Sequence, residues 1–158
     1  VNIMTISKNK LINSFLPDAV LIPLTPEAEK SILDTKNVNK LIPMFEFPFK
    51  VGRESRMAEN ERGLFVKLRI LSNVSKANND VYLINNADSL EISKEHFQIE
   101  KRDDKYFIKD RHSTLGTKHN NEEVGKDKAN NSYALEDKDI IKIGSSASKY
   151  EFQFLILK

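Results

Sequence analysis

The sequence of 158 residues predicts an all-β fold, an antiparallel β-sandwich made of two sheets. Short runs of β-branched and aromatic residues, in which apolar and polar side chains alternate, recur from about residue 44 to the C-terminus. The connections between these runs are rich in Asn, Asp, Ser and Lys, whose side chains can satisfy a turning backbone. No helical periodicity separates the runs, which favours an antiparallel sandwich over a parallel α/β sheet.

The N-terminal part of the chain predicts an extension followed by a first strand. Apolar residues in 1–18, "VNIMTISKNKLINSFLPD", fit neither strand nor helix spacing, so we expect an extension that packs on the body. One principal domain is expected at 19–158. It opens with "AVLIPL", which is typical of a first or edge strand because Pro23 cannot donate to a central ladder.

The next segment, "TPEAEKSIL" at residues 25–33, predicts either a short helix or a surface loop. Thr25 is a suitable helix cap and Pro26 a suitable first helical residue. Glu27 and Glu29 would favour the positive end of a helix. Both readings stay open from the sequence.

The remaining candidate strands follow in order, most of them with alternating faces. In "HFQIE", Phe97 and Ile99 face one side whereas Gln98 and Glu100 face the other. The last run repeats this pattern in "YEFQFLI". The candidates are "FPFKVG" (47–52), "LFVKLRIL" (64–71), "DVYLIN" (80–85), "HFQIEKR" (96–102), "KYFIKDR" (105–111), part of "YALEDKDIIKIG" (133–144) and "KYEFQFLIL" (149–157).

Composition excludes several classes of function. The net charge is +2 although 30% of residues are charged, so both signs are interspersed, which argues against a nucleic-acid partner. No apolar run approaches the roughly 20 residues of a membrane helix, and we predict no membrane partner. The absence of cysteine rules out disulfides and thiolate metal sites and favours a cytoplasmic location. A start at Val1 and an end on "FLILK" suggest a piece of a longer protein.

Enzyme chemistry has little support in the sequence. The three histidines, His96, His112 and His119, belong to no HExxH-type metal spacing, and no GxSxG or phosphate-loop motif is present. Ser93 precedes His96 by three residues, but a nucleophile pair also needs an orienting acid and an oxyanion hole. We therefore predict no enzyme activity, no cofactor and no metal. A Ser/His hydrolase remains the distant alternative.

Polar groups cluster instead at the ends of predicted strands. Gly52 and Arg53 follow "FPFKV", and Ser93 and Lys94 precede "HFQIE". A third group, "DRHSTLGTKHN", follows "YFIK" and is rich in hydroxyls. If these loops meet at one end of the sandwich, they assemble a guanidinium, an ammonium and several hydroxyls, a set that suits a phosphate dianion.

These motifs, in this order and spacing, resemble the signature of the forkhead-associated (FHA) domain. The match consists of Gly52-Arg53, Ser93 with His96, the "STLGTKHN" loop and "LEDKDIIKIG", and it runs from about residue 44 to 156. The resemblance implies a sandwich of about eleven strands whose loops at one end bind phosphothreonine peptides.

The resemblance also assigns roles to individual residues. Arg53 matches the arginine that grips the phosphate, and a planar fork of donors explains why lysine would replace it poorly. Ser93 matches the serine whose hydroxyl donates to a phosphate oxygen, with Lys94 and Thr114 as further contacts. His96 matches a structural histidine that fixes the serine loop. The other expected loop-shaping residues are Gly52, Ser113, Gly116, Thr117 and Asn120.

Leu115 departs from the family pattern. The family usually has asparagine there, bonded to the peptide backbone beside the phosphoresidue, and the Leu-Gly-Thr form looks like a bacterial-type variant. Leucine cannot make those bonds. Three outcomes stay open: weaker affinity, recognition of an apolar peptide side chain, or drift of the site away from phosphopeptides.

The predicted partner is a phosphothreonine-containing protein or peptide. The domain would recruit a phosphorylated partner, or dock a phosphosite of its own chain, within a signalling protein that has a kinase-regulated output domain. The alternative is a phosphate-independent interaction module of the same fold, acting through a sheet face or the altered 113–117 loop.

Overall fold

The computed structural model describes residues 5–33, 40–55, 57–60, 63–66, 78–125 and 132–158. Within these ranges the chain forms two helices and thirteen strands. In chain order they are α1 (Lys8–Phe15), β1 (Ala19–Pro23), α2 (Pro26–Ser31), β2 (Ile42–Met44), β3 (Phe49–Arg53), β4 (Met57–Asn60), β5 (Gly63–Val66), β6 (Val81–Leu83), β7 (Phe97–Arg102), β8 (Lys105–Asp110), β9 (Thr117–His119), β10 (Glu122–Val124), β11 (Ser132–Leu135), β12 (Ile140–Ile143) and β13 (Glu151–Ile156).

The strands form a two-sheet sandwich, which confirms the predicted fold class. One sheet has six strands in the order β10-β9-β12-β13-β1-β2, and the other has five in the order β11-β8-β7-β3-β6. Together they hold eleven strands, and β4 pairs with β5 separately. Among the described pairings, β3 and β6 run parallel and the others antiparallel. The long connection from residue 54 to 80 allows this parallel return.

The core lies between the two sheets and is built from the alternate residues of their strands. The fully buried members include Leu21, Phe97, Ile99, Phe152 and Phe154. Each such side chain contributes roughly 1.5 to 3 kcal/mol by leaving water. The alternation expected in "HFQIE" and "YEFQF" is therefore confirmed.

The N-terminal segment contains a helix where we expected no regular element. Ser7 caps α1, its Oγ accepting from the backbone N–H of Lys10 at 3.2 Å. The expectation that the apolar spacing fits no helix was wrong, since Leu11 and Ile12 stand four and three residues before Phe15, although no residue of α1 is buried. Lys158 Nζ donates to the carbonyl of Asn13 in α1 at 2.8 Å, and Asp18 adds a 2.9 Å bond to Lys101. The boundary at residue 18/19 stays a prediction.

Of the two readings of residues 25–33, the helix is confirmed. The Oγ1 of Thr25 accepts from the backbone N–H of Ala28 at 3.1 Å, and Pro26 opens α2. Ala28 and Ser31 are buried, and α2 packs against β1. The buried side of α2 shows that this segment packs on the sandwich, whereas a surface loop would be exposed on all sides.

Most of the other strand predictions are also confirmed, with one part untested. Residues 64–66 of the predicted strand at 64–71 lie in β5, whereas 67–71 fall outside the described residues. The sequence analysis missed β2, β4, β9 and β10, each three or four residues long. No helix in the described ranges is long and apolar enough to span a membrane.

Candidate functional site

The strand register brings three loops to one edge of the five-stranded sheet. Val51, near the end of β3, pairs with Phe97, the first residue of β7. Phe97 pairs in turn with Asp110, the last residue of β8. The loops that leave β3, enter β7 and leave β8 therefore meet at this edge.

Arg53 is held against the second of these loops. Its backbone N–H donates to the carbonyl of Ser93 at 2.9 Å, and its Nε donates to the carbonyl of Ile92 at 2.9 Å. The Nε bond fixes one edge of the half-buried guanidinium, and the two terminal amino groups carry four further N–H donors. The side chain is thus anchored in a form that can still grip an anion.

Ser93 joins the second loop to the third. Its Oγ accepts from the backbone N–H of Thr114 at 2.9 Å, which places the exposed Thr114 beside it. A hydroxyl that accepts one bond keeps its own hydrogen for donation. The structure thus brings Arg53, Ser93 and Thr114 together.

His96 lies beneath this point and is fully buried. Its Nδ1 accepts from the backbone N–H of Ser93 at 2.9 Å, and its Nε2 lies 2.8 Å from the carbonyl of Gly116. Since a carbonyl only accepts, this pattern requires a neutral ring protonated at Nε2. Burial lowers the pKa of His96, against smaller raising effects from the Gly116 bond and from the carboxylates of Asp110 and Glu91.

The same geometry separates His96 from the Ser93 hydroxyl. The ring bonds the backbone of Ser93, and its other nitrogen is directed to Gly116. A serine nucleophile requires a base bonded to its Oγ. The pair is therefore not arranged as a nucleophile and base.

Gly52 allows a close approach between β3 and the Ser93 loop. A Cβ built at Gly52 would overlap the carbonyl oxygen of Lys94 and would also meet the side-chain amide of Asn79, 2.6 Å from its Oδ1. A larger residue would push the loop away from Arg53. Lys94 itself has an exposed side chain next to Ser93.

Asp110, which the sequence analysis missed, organises the third loop. Its Oδ1 accepts from the hydroxyls of Ser113 at 2.6 Å and Thr117 at 2.7 Å. Its Oδ2 accepts from the backbone N–H of Ser113 at 3.0 Å. Asp110 is buried. An aspartate directly after a predicted strand, with hydroxyl residues three and seven positions later, is the sequence signal that could have identified it.

Gly116 and Leu115 complete this loop. Gly116 is buried with a φ of +86°, a left-handed conformation that glycine adopts at little cost. Its carbonyl also accepts from the backbone N–H of Gly144 at 2.9 Å. Leu115 is partly exposed between the buried Gly116 and the exposed Thr114.

Asn120 is the one predicted site residue that lies away from this edge. It follows β9, whose other end, at Thr117, faces the site. Its Oδ1 accepts from the backbone N–H of Ile140 at 2.8 Å, and its Nδ2 donates to Asp139 at 3.0 Å. These bonds tie two turns together at the far end of β9.

Within the described ranges, no group of three His, Asp or Glu side chains is placed to hold a metal ion.

A family model described as the FHA domain matches residues 62–144, which is more than half of the chain. The chain belongs to the FHA domain family. The matched range contains the Ser93 loop and the 113–117 loop of this FHA domain, whereas Gly52 and Arg53 precede it. FHA domains are generally interaction modules rather than enzymes. No curated protein sequence matches the chain.

Several solved structures share the fold. EmbR of Mycobacterium tuberculosis, in complex with a low affinity phosphopeptide, aligns over 89% of this chain and 24% of its own, at 19% identity and a TM-score of 0.51. The FHA domain of CT664 from Chlamydia trachomatis aligns over 89% of this chain and 98% of its own, at 14% identity and a TM-score of 0.51. Full-length yeast Pml1p aligns over 88% of this chain and 81% of its own, at 16% identity and a TM-score of 0.53.

Proposed function

We propose that this FHA domain binds phosphothreonine-containing segments of proteins. One observation carries the proposal: Arg53, Ser93 and Thr114 are held side by side by bonds that join three separate loops. A guanidinium and two hydroxyl-bearing residues at one point offer several donors to a doubly charged oxyanion. The exposed ammonium of Lys94 adds a positive charge beside them.

The expected affinity is modest. Charge-assisted hydrogen bonds contribute roughly 1.5 to 3 kcal/mol each, and four of them give a gross gain of roughly 6 to 12 kcal/mol. Ordering the peptide costs roughly 0.5 to 1.5 kcal/mol for each immobilised side chain. A net of roughly 7 to 8 kcal/mol corresponds to low-micromolar binding.

Leu115 makes the proposed site different from that of most FHA domains, which have asparagine at this position. The Leu-Gly-Thr loop places an apolar, partly exposed side chain directly after Thr114. We assign to Leu115 a contact with the peptide beside the phosphoresidue. Gly52, His96, Ser113, Gly116 and Thr117 shape the loops, through the close approach and bonds described above.

The proposed setting is a cytoplasmic signalling protein. The alignment with EmbR covers 24% of the length of that protein. We propose that this domain is fused to, or works with, a kinase-regulated output domain. The bound segment would be either a partner phosphorylated by a kinase or a phosphosite of the same protein. The N-terminal residues 1–18 are proposed as an extension of the FHA domain at 19–158.

A paired peptide library tests the proposal. An oriented library carrying phosphothreonine is screened beside its unphosphorylated twin, and we expect enrichment in the phosphorylated set only. Arg53→Ala should weaken binding of the selected peptides at least tenfold, because a charge-assisted contact contributes about 1.5 to 3 kcal/mol. Arg102→Ala is the matched control, since Arg102 lies at the opposite end of β7.

Equal enrichment in both sets, unaffected by Arg53→Ala, would overturn phosphate recognition. That result would support the phosphate-independent module, which the partly exposed Leu115 favours. Mapping the bound peptide by nuclear magnetic resonance would then show whether it lies on a sheet face or on the 113–117 loop.

A further inference from the structure

The loop that carries Ser93 is held from two sides. His96 and Arg53 bond its inner side, as described above. On its outer side lie three polar side chains, those of Asn79, Glu95 and Arg111, here called the outer clamp. We propose that the outer clamp positions the Ser93 loop for phosphopeptide binding, an inference that rests on the proposed function.

Arg111 is the centre of the outer clamp. Its Nη1 donates to Asn79 Oδ1 at 2.6 Å, and its Nη2 donates to the carbonyl of Asn78 at 2.8 Å. The same Nη2 lies 3.1 Å from Glu95 Oε1. The Arg111 side chain is only 12% exposed, so these partners fix a mostly buried guanidinium. A lysine could not reach all three acceptors, because it lacks the planar fork.

Asn79 transmits this fixed position to the loop. Its Nδ2 donates to the carbonyl of Lys94 at 2.7 Å, one residue after Ser93. Because Oδ1 faces the Arg111 donor and Nδ2 faces the Lys94 acceptor, the two neighbours together determine the orientation of the amide. Glu95 Oε1 also accepts from the backbone N–H of Asn78 at 3.0 Å, which closes the cluster.

The outer clamp supplies a bond to the backbone that the inner contacts do not. Ser93 N–H bonds His96, the Ser93 carbonyl accepts from Arg53, and the Lys94 carbonyl accepts from Asn79. Without Asn79 that carbonyl loses this bond, and the peptide unit between Lys94 and Glu95 becomes freer to rotate. The Ser93 hydroxyl would then lose its fixed relation to Thr114, and binding would have to restore it.

Asn79→Asp is the sharpest test because it keeps the shape of the side chain and removes the bond to the Lys94 carbonyl. An aspartate at this position still accepts from Arg111 but cannot donate to that carbonyl, and it adds one negative charge. We expect the phosphopeptide Kd to rise about 3- to 10-fold, the loss of roughly one hydrogen bond. Arg111→Ala should give a similar rise, Arg111→Lys should not restore binding, and Arg102→Ala should leave the Kd unchanged.

A second readout needs no peptide. Thr114 N–H donates to Ser93 Oγ, so its hydrogen exchange should accelerate in Asn79→Asp while amides in β13 keep their protection. An unchanged Kd or an unchanged Thr114 exchange rate in this variant would refute the positioning role. So would accelerated exchange throughout the sandwich, which would reveal a general loss of stability.

The two proposals fail in different ways. A wild-type protein that binds no phosphopeptide refutes the proposed function, and the positioning role in peptide binding falls with it. A wild-type protein that binds, with an Asn79→Asp variant that binds equally well, refutes only the outer clamp. Double substitution of Asn79 and Arg111 should weaken binding no more than either single change, since both act through the Lys94 carbonyl.

Discussion

His96 shows how one buried side chain can hold a binding site without touching a ligand. Its ring joins the Ser93 loop to Gly116, and its backbone N–H donates to Val51 at 2.9 Å. The two ring contacts together require a neutral ring protonated at Nε2, whereas the backbone bond does not depend on the ring. The site therefore depends on the protonation state of a group that lies below it.

This dependence predicts acid sensitivity. Burial holds the pKa of His96 below its ordinary value of 6.5, so the unfolded chain takes up a proton at a higher pH than the folded protein. The stability from neutral His96 is fully present above about pH 6.5 and is lost as the pH falls toward the lower folded pKa. Denaturant unfolding between pH 7.5 and 5.5 should show this decline.

His96→Gln provides the comparison for that experiment. The substitution removes the titrating ring, so the variant should be less stable at pH 7.5 but flatter between pH 7.5 and 5.5. His112→Ala serves as control, because His112 is exposed. Parallel pH profiles for wild type and His96→Gln would contradict the prediction.

Leu115 gives the second prediction at the scale of one residue. Leu115→Asn introduces the amide that the family usually has, and one net hydrogen bond to the peptide backbone contributes about 1 kcal/mol. Phosphopeptide binding, measured by isothermal titration calorimetry, should tighten about fivefold.

Leu115→Ala separates the competing explanations for this position. Because Leu115 is assigned a contact with the peptide, Leu115→Ala should weaken binding, whereas in Leu115→Asn the new amide bond should outweigh the lost contact. Weaker binding by both variants would contradict the prediction for Leu115→Asn, and unchanged binding by Leu115→Ala would contradict the assigned contact.

At the scale of elements, α1 lies at the end of the sandwich opposite the site. Thr117, the last residue of the 113–117 loop, pairs with Ile143 at the end that carries the site. Pro23 pairs with Phe152 near this same end. Ala19 pairs with Ile156 at the other end, and α1 precedes it. The helix exposes apolar side chains, among them Phe15 at 75%. It is therefore placed neither to block nor to complete the site.

Removal of residues 1–16 should leave the phosphopeptide Kd within about twofold of wild type, because no residue of α1 is buried. Asp18 must be kept, since it bonds Lys101 at 2.9 Å and its carbonyl accepts from Leu157 at 2.9 Å. Asp18→Ala is the companion variant and should lower the unfolding free energy by up to about 1 kcal/mol without changing the Kd. A truncated protein with markedly altered affinity would place α1 in the binding event.

The helices and strands differ in how well the sequence predicted them. Strands with a buried face, such as β7 and β13, are predicted by their alternation. For α2, the Thr25 cap and Pro26 left a helix and a loop both open, and the structure decided for the helix. In α1, Leu11 and Ile12 stand four and three residues before Phe15, which is helical spacing, but a run of two turns is too short for that spacing to be recognised against its surroundings. Local patterns therefore predict most clearly the elements that have a buried face.

At the scale of the whole molecule, the site depends on contacts between distant parts of the chain. Arg53, Ser93 and Thr114 could be proposed from motif spacing, but Asn79 and Arg111 could not. Asn79 reaches Lys94 because β6 returns parallel to β3, a pairing that no local pattern encodes. The role of Asp110 could have been predicted from its spacing to Ser113 and Thr117.

The position of β1 has a consequence for the order of assembly. This strand pairs with β2 on one side and with β13, the last strand, on the other. As the chain emerges from the ribosome, the first strand must wait for almost the whole sequence before its second neighbour arrives. Until then one edge of β1 is open to rival partners, and any C-terminal nick that removes β13 would reopen it.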